Sequence, residues 1–108
     1  MAESSEIILY RNYRLKNGRD VVLLVRQPML FGEGPDFKTE YLIRGLGDEQ
    51  VRFAGGIDAI QSMLLALKMA AAFLVTSDEY RSGQLYWLEK NDSDLGLPLP
   101  DSLRDSGE

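Results

Sequence analysis

The sequence predicts an α+β fold: an antiparallel sheet of four or five strands with one long α-helix packed across a face. Three observations predict it. Lys16-Asn17-Gly18-Arg19 separates two β-rich runs; Asn-Gly is a strong hairpin signal. Residues 58–75 run without an internal glycine or proline and repeat apolar side chains at helical spacing. A chain of 108 residues with 44% hydrophobic and 27% charged residues holds one domain and one core.

The hairpin is the first element. If Asn17-Gly18 alone form the loop, residue 16 pairs with 19, 13 with 22 and 10 with 25. The first strand then covers about Ile7–Leu15 and the second about Asp20–Gln27, stopped by Pro28. That register groups Ile7, Leu9, Tyr13, Leu15, Val22 and Leu24 on one face, against Ile8, Tyr10, Val21, Leu23 and Val25 on the other. Neither face is polar, so the pattern leaves the core side open. Residues 29–37 carry Gly32, Gly34 and Pro35 and read as a loop. A third strand spans about Lys38–Leu46, Gly47–Gln50 forms a turn, and Val51–Phe53 is a short fourth strand broken by Gly55-Gly56.

Asp58 and Gln61 have capping-box spacing at the head of the helix, which runs to Val75. At 100° per residue Ile60, Met63, Leu64, Leu67, Ala70, Ala71 and Leu74 share an inward face. The outward side collects Asp58, Gln61, Ser62 and Lys68, but also Leu65, Met69 and Ala72. Gln84–Leu88 reads as a last strand holding the single tryptophan, Trp87. Leu95–Pro100 should be extended and docked on it, because each proline disfavours helix in the residue before it. The domain boundaries expected are 1–100 for the α+β unit and 101–108 for a flexible acidic tail.

Charge is unevenly spread over a net −5. Asp92, Asp94, Asp101, Asp105 and Glu108 face one base, Arg104, near the end, while residues 1–91 are close to neutral. This is no footprint for a nucleic acid, and Arg11, Arg14, Arg26 and Arg52, interleaved with Tyr10 and Tyr13, lack an RNA-binding motif. Histidine and cysteine are both absent, which removes imidazole bases, thiol nucleophiles and the usual transition-metal ligands. No cofactor or metal is expected. Lys68 within the apolar helix argues against a membrane span. The acidic start, Met1–Glu6, is unlike a secretory signal, and a cysteine-free chain fits the cytoplasm.

Other constellations have plain explanations. Gly45-Leu46-Gly47 and Gly55-Gly56 lack a phosphate-loop ending, and Asp58 would repel an anion. Glu33, Asp36, Glu40, Asp48 and Glu49 read as solvated carboxylates. Ser62 and Lys68 lie about 120° apart around a helix and form no Ser–Lys pair.

Val51–Leu67 (VRFAGGIDAIQSMLLAL), Leu85-Tyr86-Trp87-Leu88 and Leu95-Gly96-Leu97-Pro98 together resemble a family of small uncharacterised bacterial domains. The resemblance implies a sheet, a Gly-Ile-Asp-x-Ile-Gln helix opening, a tryptophan strand and a Leu-Gly-x-Pro end, and carries no catalytic residue. Immunity proteins beside bacterial toxins share this size and plan; by that analogy the acidic tail and sheet edges contact a toxin.

Two functional classes fit the sequence. The first is a non-enzymatic protein-interaction module of immunity or scaffolding type. It is a homodimer joined through Leu65, Lys68, Met69 and Ala72, with a protein partner rather than a nucleic acid or a membrane. The second is a small-molecule binder or enzyme using carboxylates and arginine around residues 29–40. A convergent buried charged group in a pocket favours the second; solvent-facing charges beside an apolar patch favour the first.

Overall fold

A computed structural model of the chain describes residues 6–88 and 95–103. It has the expected α+β plan. The elements are β1 (Ile7–Leu15), β2 (Asp20–Arg26), β3 (Met29–Leu30), β4 (Phe37–Arg44), β5 (Arg52–Gly56), α1 (Ala59–Val75), α2 (Asp78–Arg81) and β6 (Leu85–Tyr86), with a 3₁₀ turn over Asp101–Leu103.

Every strand pairing is antiparallel. β4 is central. One of its edges takes β5, and the other takes β2 and β3 in succession, so β3 continues the line of β2 past the interruption at Gln27-Pro28. β1 lies outside β2, and the two-residue β6 pairs with the hairpin end of β1. The 29–37 stretch, expected as loop throughout, therefore contributes a short strand. Gly55-Gly56, expected to break the fourth strand, belong to it.

The hairpin register departs from expectation by one residue. Tyr13 pairs with Val21 and Tyr10 with Leu24. The connection is the three-residue loop Lys16-Asn17-Gly18, in which only Gly18 is left-handed, at φ 91°. The Leu15 N–H donates to the Arg19 carbonyl at 2.9 Å and Gly18 N–H to the Leu15 carbonyl at 2.8 Å. Asn17 Oδ1 accepts from the Arg19 N–H at 2.9 Å. A turn ending in one left-handed glycine needs a single positive φ where a two-residue type I′ loop needs two. The slip exchanges the faces of β2 relative to β1. Tyr13 and Leu15 now share the helix side with Val21, Leu23 and Val25, all buried, while Tyr10, Val22 and Leu24 face away. A register shift between Ile7 and Leu9 loosens the far end of β1.

Helix α1 packs across β4 and β5. Its buried residues are Ser62, Ala66, Ala70, Ala71 and Leu74. The alanines let the helix sit close to the sheet, as does Gly56: a Cβ there would fall 2.5 Å from the Ser62 nitrogen. Burial at Ser62 overturns its expected outward place. Its hydroxyl donates to the Ala59 carbonyl at 3.0 Å, and that proton being spent, Thr39 Oγ1 is the donor in the buried 2.8 Å contact between the two hydroxyls. Ile60 and Leu64, expected inward, are exposed instead. Apolar residues surround the helix too evenly for periodicity to choose the face. Close approach to the sheet chooses it, and favours small side chains.

Asp58 caps α1, its Oδ1 accepting from Gln61 N–H at 2.8 Å, while Gln61 Oε1 reaches back to Ile57 N–H at 2.8 Å. Past Thr76, Ser77 caps the short α2. Leu95 and Leu97 are buried in the core beside Leu85, and Trp87 and Leu99 pack against it. The segment docks as expected but is not uniformly extended, because Leu95 and Gly96 are both left-handed (φ 55° and 74°). Of the expected flexible tail, residues 101–103 form the 3₁₀ turn and 104–108 lie outside the described residues.

Candidate interaction surface

The outward face of α1 is apolar along most of its length because the sheet claims the alanine side. Ile60 is 71% exposed, Leu64 48%, Leu65 37% and Met69 44%, and Ile57, just before the cap, is 73% exposed. Of the residues marked in the sequence as an interface, Leu65 and Met69 are exposed, and Lys68 and Ala72 are half-buried beside them. The helix brings these four together and adds Ile60 and Leu64, which the predicted orientation had placed inside. The signal that could have found them is Gly56-Ile57-Asp58. A glycine held against the helix start fixes which side of the first turn meets the sheet.

A second apolar area continues from this face around the β5 edge. Phe31 and Phe53 meet edge to face at 5.2 Å between ring centroids. Lys38 Nζ lies 5.4 Å from the Phe31 centroid and 5.2 Å from that of Phe53. Phe31 and Ile57 line one shallow depression together with Gln61.

The charges proposed for chemistry are dispersed, and Glu40, Asp48 and Glu49 each have a partner. Glu40 takes Arg26 at 3.1 Å and Lys38 at 3.4 Å. Asp48 takes Arg52 at 2.8 Å, and Arg52 also lies 5.1 Å over the Phe73 ring. Glu49 accepts from the Gly45 N–H at 3.0 Å. Arg14 approaches Asp20 at 3.7 Å. Glu33 and Asp36 are exposed on the loop. Arg11 and Arg52 belong to the helix side of the sheet and Arg14 and Arg26 to the other, so the arginines do not build one surface. Among the described residues no three carboxylates gather as a metal site, and no helix is long and apolar enough to cross a membrane. Tyr41, buried in the sheet, has its hydroxyl pKa raised above the ordinary tyrosine value by burial, against a smaller lowering from the Arg52 charge.

Comparison with curated proteins and with solved structures finds no match. A family model described as a domain of unknown function, DUF6968, matches residues 9–99, which takes in the sheet, both helices and the docked Leu95–Leu99 segment. On that match the chain belongs to the DUF6968 family.

Proposed function

We propose that this protein is a non-enzymatic interaction module that pairs with a second copy of itself through the outward face of α1. The observation that carries the reading is the set of exposed apolar side chains Ile60, Leu64, Leu65 and Met69 spread over the solvent half of α1, with Ile57 just before its cap. Single exposed leucines need no explanation, but several large apolar side chains exposed along one rigid element mark an interaction site. Burial of apolar surface contributes about 25 cal/mol per Å², which must exceed the rotational and translational cost of association. A second copy suits the helix's charge pattern. Asp58 stands at its start and Lys68 in its second half, so a twofold antiparallel pairing brings the acidic end of each helix toward the basic half of the other. Around such a dimer the Phe31–Phe53 edge is available to a different protein, the inhibitory or scaffolding role of the reading. A cysteine-free chain suits a reducing, cytoplasmic setting of the bacterial kind the sequence resemblance implies.

Chemistry in the 29–40 loop has less support, because Glu33 and Asp36 are solvent-facing and Glu40 is neutralised by two cations. The test is sedimentation of the wild type and of Leu65→Glu. A dimeric wild type and a monomeric variant are expected. A wild type that is monomeric at tens of micromolar sinks the dimer, and a variant that stays dimeric moves the interface off α1.

A further inference from the structure

Leu95 is a non-glycine residue held at φ 55°, in a region L-residues rarely adopt, and its side chain is fully buried. Such a conformation persists only where the surroundings over-determine it, and these positions cluster at ligand sites. Here the surroundings are specific. The Leu95 carbonyl accepts from Tyr13 OH at 3.1 Å and from Arg11 Nη1 at 3.3 Å, and the Gly96 carbonyl accepts from the same Nη1 at 2.7 Å. The guanidinium lies 3.9 Å above the centre of the Trp87 ring. Gly96 fits between them only because it lacks a Cβ, which would collide with both the ring and Arg11.

Arg11 is therefore clamped on one side. Both Nη1 hydrogens point at carbonyls, while the Nε hydrogen and the two on Nη2 have no acceptor among the described residues. Beside it opens a cleft of about 180 Å³ whose walls are Leu9, Leu23, Val25, Leu67 and Leu97, and among the described residues Arg11 is the one charged group of its lining. An apolar cavity of ~150 Å³ is large enough for benzene. Ligand sites typically combine apolar walls with a few fixed polar groups.

We propose that this cleft binds a small monocarboxylic acid, its compact apolar body against the leucines and its carboxylate on the free edge of the Arg11 guanidinium. A planar guanidinium edge matches a carboxylate in two parallel hydrogen bonds. One cation among leucines suits a monoanion. A phosphate, with its greater charge, calls for further cations or clustered backbone N–H groups. Pre-orientation by Trp87 and two carbonyls means that little side-chain freedom is lost on binding.

Trp87 is the only tryptophan, so its emission reports on Arg11 directly. The full chain is titrated with hexanoate and with phenylacetate, and with 1-hexanol as the uncharged counterpart. Saturable, mutually competitive binding of the two acids is expected, with the alcohol at least about tenfold weaker for want of charge-assisted hydrogen bonds. Arg11→Gln should remove that preference. Since Arg11 also anchors Leu95 and Gly96, Leu9→Phe supplies the second variant. Leu9 is on the rim, 44% exposed and outside the buried core, so the change narrows the cleft while leaving Arg11 and the core intact. Loss of acid binding in Leu9→Phe with an unchanged circular dichroism spectrum supports the site. No saturable binding of either acid at millimolar concentration overturns it, as does equal affinity for acid and alcohol, or unaltered binding in Leu9→Phe.

Discussion

Among single residues, the buried Thr39–Ser62 pair shows how a polar group sets the seat of a helix. Thr39 donates to Ser62, which in turn donates to the Ala59 carbonyl, so the two replacements are not equivalent. Ser62→Ala strands the Thr39 hydroxyl in the core and should cost about 1–3 kcal/mol. Thr39→Val removes the donor with its partner still satisfied and should cost less, with the double variant close to Thr39→Val. Urea denaturation of the three variants checks the order. Tyr41 gives a pH signature. Its folded-state pKa is raised, chiefly by burial. The folded state thus holds its proton more tightly than the unfolded chain. The resulting stability is complete below the unfolded value of about 10 and is lost as pH rises through the folded value. The wild type should therefore lose melting temperature above about pH 10 more steeply than Tyr41→Phe. Parallel curves for the two proteins would contradict this.

Among the secondary-structure elements, the helix start is the most tightly specified junction. Asp58 satisfies the Gln61 N–H and Gln61 answers by satisfying Ile57 N–H. Asp58→Ala should cost about 1 kcal/mol, read as a shift of the denaturation midpoint. Gly56→Ala should be worse than this cap loss, because the new methyl meets helix backbone rather than a flexible side chain. If Gly56→Ala melts like the wild type, the close approach of β5 and α1 is wrong. The capping motif was legible in the sequence because it is local: three residues and one turn are enough to make its hydrogen bonds. The orientation of α1 was not. Ile60 and Leu64 look like core residues, yet the sheet meets the side carrying Ser62, Ala66 and Ala70. A helix with apolar residues nearly all round can satisfy its burial in several orientations, so packing makes the choice.

Across the full domain, the chain closes its core with its last described segment. Leu95 and Leu97 are buried among residues from β1, β2 and α1. Each buried leucine stabilises by about 1.5–3 kcal/mol, and in a domain this small 1 kcal/mol moves the melting temperature by ~4–8 °C. Deleting 95–108 should thus lower it by more than ~10 °C, whereas deleting 104–108 should leave it nearly unchanged. Equal effects in differential scanning calorimetry would mean that the Leu95–Leu97 segment does not close the core. The same segment fixes Arg11 beside the proposed acid-binding cleft, so the truncation from 95 should also abolish the Trp87 fluorescence response.

Elements with short-range signals could be read from the chain without its fold. Asn17-Gly18 placed the hairpin, Asp58 and Gln61 placed the helix start, and the lack of histidine and cysteine narrowed the available chemistry. Other features depend on how distant segments pack. The hairpin register turns on whether the loop has two or three residues, a difference of backbone angles at Asn17 that re-sorts a full face. Helix orientation turns on the fit of alanines and Ser62 against β4 and β5. The Arg11–Trp87–Gly96 clamp joins positions more than 70 residues apart along the chain, and no local pattern announces it. Its geometry exists because burial of Leu95 and Leu97 brings the chain end back across β1, where two carbonyls and a ring fix one guanidinium in place.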